Sequence, residues 1–145
     1  MRIFLDANIL FSAAKSDGAI RRLLGLLQAK GHELWVDGFV VEEARRNLAA
    51  KQKESVVVLE SLVGSLKIVG LQAIDPAQAT SWPLPEKDRP VLAAALRSRC
   101  EILVTGDRTH FGPFYGTLLQ GVIIHSPRSL AEELLGPEDD PTSGS

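Results

Sequence analysis

The sequence is poor in the residues that build disulfides, structural zinc sites and membrane spans. Cys100 is the single cysteine among 145 residues, so no disulfide can form within the chain. One cysteine and three histidines cannot supply a Cys-rich zinc site. The apolar runs are far shorter than the ~20 residues that cross a bilayer, and Asp6 interrupts the start MRIFLDANIL where a signal peptide stays apolar. These features predict a cytoplasmic protein with no membrane attachment.

Neither sign of charge is in large excess. The formal net charge is −2, which gives no direct indication of a polyanionic partner. Three of the 18 acids, at positions 138–140, lie in the last ten residues, so 15 acids face 16 basic residues in the rest of the chain. The segment GPEDDPTSGS has no large apolar residue and predicts a flexible polar tail over 136–145. Residues 1–135 are predicted to form one folded domain.

Short apolar runs alternate with helical patterns along this domain. Strands are predicted at residues 3–5, 33–36, 66–69, 102–104 and 122–124. Helices are predicted at residues 20–27, 40–51, 55–65, 76–81, 90–99 and 127–134. The last two strands are apolar on both faces, which is typical of a parallel sheet covered by helices on each side. The alternation predicts an α/β fold, a three-layer α/β/α sandwich with a central, mainly parallel sheet.

Acidic residues follow the predicted strands or begin the predicted helices. Asp6 and Asp107 each follow a strand, Glu42 and Glu43 lie near the start of the helix after the second strand, and Asp88 precedes the helix at 90–99. Because the carboxyl ends of parallel strands meet at one edge of a sheet, we expect these acids to converge. Clustered carboxylates oppose folding unless a cation lies among them. Mg²⁺ or Mn²⁺ suits such ligands and can activate water for phosphodiester hydrolysis.

Each acid also has a structural interpretation. Asp17 and Asp88 could cap helices, and for Asp17 that interpretation is preferred. Glu42 and Glu43 could favour a helix N-terminus, and Asp107 could form a turn. Asp6 could cap a helix that starts at the next residue. The conjunction of acids favours a shared site. With Asp6, Glu43, Asp88 and Asp107 set aside as ligands, residues 1–135 keep 16 basic residues against 11 acids, a balance that attracts a polyanion.

Four segments resemble the signature segments of PIN-domain proteins, in the family's order and across nearly the whole folded domain. They are LDANIL, VVEEARRNL, KDRPVLAAAL and LVTGDRTHF. The resemblance implies a three-layer α/β fold and a ribonuclease that depends on Mg²⁺ or Mn²⁺. Such proteins are commonly the toxin of a VapC-type toxin–antitoxin pair, which implies RNA and an antitoxin protein as partners and suggests a homodimer.

The resemblance also implies roles for the acids. Asp6, Asp88 and Asp107 match acids expected to hold one or two metal ions. Glu43 matches the helix acid of the family, because a leucine follows it five residues later. This acid would orient or deprotonate the attacking water. Glu42 is the alternative in the neighbouring register. The sequence departs from the family pattern around Asp88, where prolines stand on both sides.

Further side chains are expected to support this site. Asn8 and Thr105 match the polar positions expected to fix the carboxylates. Arginines beside the acids could contact phosphates or simply be solvated: Arg45, Arg46, Arg89 and Arg108. Trp82, in a proline-rich loop, is a better candidate for stacking on a base than Trp35, which is expected in the core. A contact between His110 and RNA is possible, but a structural role is favoured.

Two other classes of function compete with a nuclease. The first is a non-catalytic member of the same fold that binds RNA or protein. The second is another Mg²⁺-dependent α/β domain, such as a phosphotransfer receiver or a haloacid-dehalogenase-like phosphatase. The phosphatase requires an acid two residues after Asp6, where Asn8 stands. The RNA target, the cleavage of DNA, the number of metals and the oligomeric state are left open by the sequence.

Overall fold

The computed structural model describes residues 1–69 and 82–142. Its strands are β1 (Arg2–Leu5), β2 (Glu33–Asp37), β3 (Lys67–Val69), β4 (Ile102–Val104), β5 (Leu118–Leu119) and β6 (Val122–His125). Its helices are α1 (Ala7–Lys15), α2 (Ala19–Ala29), α3 (Gly38–Lys51), α4 (Val56–Val63), α5 (Arg89–Arg97) and α6 (Pro127–Leu134). Short 3-10 turns occupy Lys53–Ser55, Glu86–Asp88 and Gly112–Phe114.

The described strands form one sheet in the order β3-β2-β1-β4-β6-β5. All neighbours are parallel except β5 and β6, which are antiparallel. Leu5 pairs with Val104, and Val104 pairs with His125, so β1, β4 and β6 end level with one another. The residues that follow these strands therefore emerge at the same edge of the sheet.

The central strands are buried on both faces and the helices flank the sheet, which confirms the predicted α/β sandwich. Ile3, Phe4 and Leu5 in β1 are fully buried, as is Leu103 in β4. Helix α5 contacts β2 and β4, while α1, α3 and α4 pack against one another. Burying each large apolar side chain contributes about 1.5–3 kcal/mol, so this core holds the edge that carries the acids in place.

Several helix boundaries differ from the sequence predictions. Helix α1 starts directly after Asp6, at a place where the apolar pattern alone predicts no helix. Helix α5 starts at Arg89 and ends at Arg97, because the chain turns through Arg99, whose φ is +57°. The helix predicted over residues 76–81 lies outside the described residues.

Two helices differ in how their N-termini are capped. Ser126 caps α6 through reciprocal hydrogen bonds with Ser129, and Pro127 occupies the first helical position. The cap predicted for Asp17 is wrong, because α2 begins after Gly18 and has no side-chain cap. Asp17 instead lies 3.9 Å from the Arg21 guanidinium, one helical turn along.

None of the helices in the described residues is long and apolar enough to cross a membrane. In the C-terminal segment, Asp139 Oδ2 lies 3.5 Å from Lys30 Nζ. The division into a domain of residues 1–135 and a tail of residues 136–145 stays a prediction.

Candidate metal centre

Asp6 joins the end of β1 to the loop after β4. Its Oδ1 accepts a hydrogen bond from the backbone N–H of Ala7 at 2.8 Å, so the cap considered from the sequence is present. Its Oδ2 accepts from Thr105 Oγ1 at 2.8 Å and from Asn8 Nδ2 at 3.4 Å. Burial raises the pKa of Asp6 to about 6, against the lowering effect of the Thr105 and Ala7 hydrogen bonds. The charges of Glu43 and Asp88 contribute smaller parts of the same rise in pKa.

Thr105 and Asn8 connect this carboxylate to the loop that carries Asp107. Thr105 is fully buried, and its Oγ1 accepts from the Asp107 N–H at 3.1 Å. Asn8 donates to the same hydroxyl oxygen at 3.3 Å, and its Oδ1 accepts from the Gly106 N–H at 2.8 Å. The two polar residues thus lie where side chains that orient the Asp6 carboxylate need to lie.

Asp88 and Asp107 meet at His110. Asp107 accepts hydrogen bonds from the His110 backbone N–H at 3.1 Å and from its Nδ1 at 2.9 Å. The same Nδ1 lies 3.0 Å from Asp88 Oδ2. Burial raises the pKa of Asp88; His110 lowers it and the charge of Asp107 raises it. The structure therefore brings together two acids that are 19 residues apart and a histidine between them.

One oxygen of this group is left unsatisfied. Within residues 1–69 and 82–142, the buried Asp88 Oδ2 receives no hydrogen bond of good geometry. Although Asp88 precedes α5, its side chain makes no capping hydrogen bond, so capping does not explain this acid. One ligand atom each from Asp88, Asp107 and His110 lies within 4.8 Å of the others. Carboxylate oxygens with one imidazole nitrogen are a donor set that fits Mn²⁺ and, through the oxygens, Mg²⁺.

The two glutamates at the start of α3 have different surroundings. Glu43 lines the same groove as Asp6, Asp88 and Asp107. Glu42 instead forms an ion pair with Arg45 at 2.6 Å, and Arg45 also pairs with Glu60 at 2.7 Å. The sequence leaves the choice between Glu42 and Glu43 open, and in the structure it is the Glu43 side chain that lines the groove with the three aspartates.

The acidic groove has a volume of about 500 Å³ and lies beyond the carboxyl ends of β1 and β2. One end is acidic, and Phe11, Arg46, Asn47 and Lys51 continue it between α1 and α3. We use the name acidic groove for the whole depression. Its acidic lining residues are Asp6, Asp37, Glu43, Asp88 and Asp107.

Sequence reasoning missed Asp37, and it favoured a structural role for His110 without placing it between the acids. Asp37 ends β2, is buried, and caps α3 by accepting from the Val40 N–H at 3.0 Å. It follows a strand in the same manner as Asp6, which is the signal that could have identified it. His110 stands three residues after Asp107, a spacing that returns a side chain to the same turn, but its contact with Asp88 depends on the tertiary fold.

The arginines singled out from the sequence do not form one cluster. Arg46 lines the acidic groove, whereas Arg45 is held in its ion pairs. Arg89 donates through Nε to the Leu84 carbonyl at 3.1 Å. Arg108 is exposed and lines a different cavity, near Tyr115 and the start of α6.

Both tryptophans and the cysteine belong to the hydrophobic core or pack against it. The expectation that Trp82 offers its ring for stacking is wrong, because Trp82 is only 6% exposed and belongs to the core. Trp35 is half-buried and donates through Nε1 to Glu33 at 3.0 Å. Burial raises the pKa of Cys100 to about 11, so the thiol is protonated and unsuited to nucleophilic attack.

Fold and site together define an α/β protein with an acidic groove at the carboxyl edge of a mainly parallel sheet. The family model described as PIN domain matches residues 2–109. The chain therefore belongs to the PIN-domain family, as the four sequence segments indicate. No curated protein matches the chain in sequence.

Solved structures with the same fold come from VapBC complexes. VapBC2 from Rickettsia felis, bound to a DNA fragment from their promoter, contains a chain with TM-score 0.63 and 18% identity. DNA-bound VapBC from Salmonella typhimurium gives 0.62 and 17%, and VapBC-1 from nontypeable Haemophilus influenzae gives 0.58 and 14%. Each match covers 87% of this chain and 98% of the other. At these identities the likeness shows the fold.

Proposed function

We propose that this PIN-domain protein is a metal-dependent ribonuclease that hydrolyses RNA phosphodiester bonds with water. The observation that carries the proposal is the convergence of Asp6, Asp88 and Asp107, from three separate segments, on one groove. The buried Asp88 oxygen without a hydrogen bond, among the described residues, supports a cation at this place. Membership of the PIN-domain family supports the same function.

The roles follow from position. Asp6, Asp88 and Asp107 would hold Mg²⁺ or Mn²⁺, and a bound ion would supply a more acidic water and offset charge on the phosphate. Glu43, at the groove, takes a proton from the attacking water as the water oxygen bonds to phosphorus. The phosphorus–oxygen bond to the leaving RNA strand breaks in the same displacement, and the leaving oxygen takes up a proton from solvent. His110 holds Asp107 by hydrogen bonds and lies against Asp88.

A binding module of the same fold is the weaker interpretation. Burial raises the pKa values of Asp6 and Asp88, which means that their ionised forms destabilise the folded protein in the absence of a cation. A domain that only binds RNA or protein gains nothing from that cost. A cation-dependent activity accounts for it.

We further propose that the protein is the toxin of a toxin–antitoxin pair. Support comes from the VapBC complexes among the structures with this fold. An antitoxin would then be the partner that restrains cleavage. The homodimer and the cytoplasmic location stay predictions from the sequence.

A cleavage assay with two readouts tests the proposed activity. Purified protein is incubated with single-stranded and structured RNA in Mn²⁺, in Mg²⁺ and in chelator, and its melting temperature is measured in the same buffers. We expect cleavage with either metal and none in chelator. At 100 times the dissociation constant, metal should add about 2.7 kcal/mol to the free energy of unfolding. Cleavage that persists in chelator, or a melting temperature indifferent to both ions, would contradict the proposal.

Thr105→Val should weaken metal binding while it preserves the shape of the side chain. The substitution removes the hydroxyl that donates to Asp6 at 2.8 Å and accepts from the Asp107 N–H. Loss of such a supporting contact typically lowers metal affinity about 10–100-fold. Calorimetric titration with Mn²⁺ measures the change, and Thr105→Ser, which keeps the hydroxyl, is the matched control. Equal affinity in the two variants would show that the hydroxyl does not orient the carboxylate.

A further inference from the structure

Phe11 and Lys51 line the acidic groove, and a second lysine, Lys15, lies over the same Phe11 ring beside the groove. The Nζ atoms of Lys15 and Lys51 lie 5.6 and 5.5 Å from the centroid of the Phe11 ring. Both lysines are exposed, and Phe11 is half-buried. Cation–π attraction thus holds two like charges around one ring.

The two ammonium groups are available to an anion. Ion pairs among residues 1–69 and 82–142 use other basic side chains and leave Lys15 and Lys51 without a carboxylate partner. Elsewhere in the same groove the neighbouring Arg46 is also exposed. Two cations around one ring, without a carboxylate partner, favour the binding of an anionic group such as a phosphate.

Helix geometry connects this pair to the acids. Glu43, Asn47 and Lys51 are four residues apart in turn, so they share one face of α3. Phe11 and Lys15 are likewise four residues apart on α1, which packs against α3. The eight residues from Glu43 to Lys51 correspond to about 12 Å along the helix axis.

That distance fits a short piece of single-stranded nucleic acid. Along one strand of a duplex, successive phosphates are about 3.4 Å apart along the axis. A single strand is more extended, so the same distance corresponds to about two or three nucleotides. With a cation among the acids, both ends of the groove attract phosphate. An acidic peptide could match the lysine end, but it lacks the evenly spaced charges that engage both ends.

We propose that Lys15 and Lys51, held by Phe11, form a subsite for a backbone phosphate of the RNA two or three nucleotides from the cleaved bond. This inference rests on the proposed ribonuclease function and names how the strand lies in the groove. The lysines bind and position the RNA, while the acids carry out the hydrolysis. The subsite also fixes which way the strand runs from the metal centre.

RNA binding in chelator tests the subsite separately from cleavage. Fluorescence anisotropy is measured with a single-stranded RNA of about ten nucleotides, within the range of known site sizes, at several salt concentrations. We compare the wild type, the double variant Lys15→Gln/Lys51→Gln, and the control Lys53→Gln/Lys67→Gln. The control removes the same charge from two exposed lysines that neither line the groove nor lie over the Phe11 ring.

We expect the double variant alone to lose affinity, by about 10-fold, and its salt dependence to fall by about one to two phosphate contacts. In metal, its KM for the same RNA should rise while kcat stays near the wild-type value. Equal losses of RNA affinity in the two double variants, or no RNA binding by the wild type, would each overturn the subsite. Absence of cleavage by a wild type that binds RNA through these lysines would overturn the ribonuclease instead.

Discussion

Replacing Asp107 by asparagine is expected to reduce metal-dependent RNA cleavage by more than about 100-fold, because loss of a direct ligand should exceed the 10–100-fold cost of losing a supporting residue. Asp6→Asn should have an effect of the same size. Both carboxylates face the acidic groove, and asparagine keeps their volume while it removes the charge that a divalent cation needs. Rates with Mn²⁺ and Mg²⁺ on one RNA measure the loss.

Glu42→Gln is the matched control for these variants. It also removes one carboxylate beside the groove, but Glu42 is exposed and paired with Arg45 rather than with the site. It should retain wild-type cleavage, whereas Glu43→Gln, one residue further, should not. Circular dichroism confirms that each variant is folded. Near-normal cleavage by a folded Asp107→Asn protein would remove this carboxylate from the reaction.

Asp6→Asn is expected to melt higher than the wild type in chelator at pH 7.5, by several degrees. The pKa of Asp6 is about 6 in the folded protein and 3.8 for the ordinary side chain. Between these values the folded protein retains a proton that the unfolded chain has lost, so the free energy of unfolding falls as the pH rises. Above pH 6 the full cost is about 3 kcal/mol at 1.36 kcal/mol per pKa unit.

Asparagine avoids this cost and keeps the helix cap, but its amide nitrogen, in place of Oδ2, does not accept the hydrogen bond from Thr105. Its side-chain oxygen can accept the hydrogen bond from the Ala7 N–H, since asparagine caps helices about as well as aspartate. Thermal unfolding in chelator at pH 4 and pH 7.5 measures the difference, which should disappear at the lower pH. A variant that melts clearly below the wild type at pH 7.5 would show that the lost Thr105 hydrogen bond outweighs the buried charge.

Local pattern was sufficient to predict most of the sheet. Continuous apolar triplets such as 102–104 predict strands buried on both faces, and β4 has this burial. The pattern around Asp6 was less informative, because α1 follows β1 with no turn residue between them. The start of α1 depends on the Asp6 cap and on packing against α3. The spacing of apolar residues over a nine-residue helix indicates neither of these contacts.

The acids were identifiable in number but not in pairing. Asp6 and Asp107 follow strands, so topology predicts their convergence without coordinates. The choice between Glu42 and Glu43 depends on how α3 is rotated about its axis, because neighbouring residues point about 100° apart around a helix. Packing of the apolar face sets that rotation. The burial of Trp82 was not predictable for a similar reason, because a proline-rich segment indicates a loop but does not show which side chains that loop buries.

The sequence by itself determined the class of fold, the family and the edge of the sheet where the acids gather, since these follow from periodicity, strand order and short motifs. Only the tertiary structure decided that His110 stands between Asp88 and Asp107, that Asp37 joins the groove, and that two lysines share the Phe11 ring. Such contacts join residues on different elements. Their distances depend on how helices rotate and pack, and no local pattern in the chain records that packing.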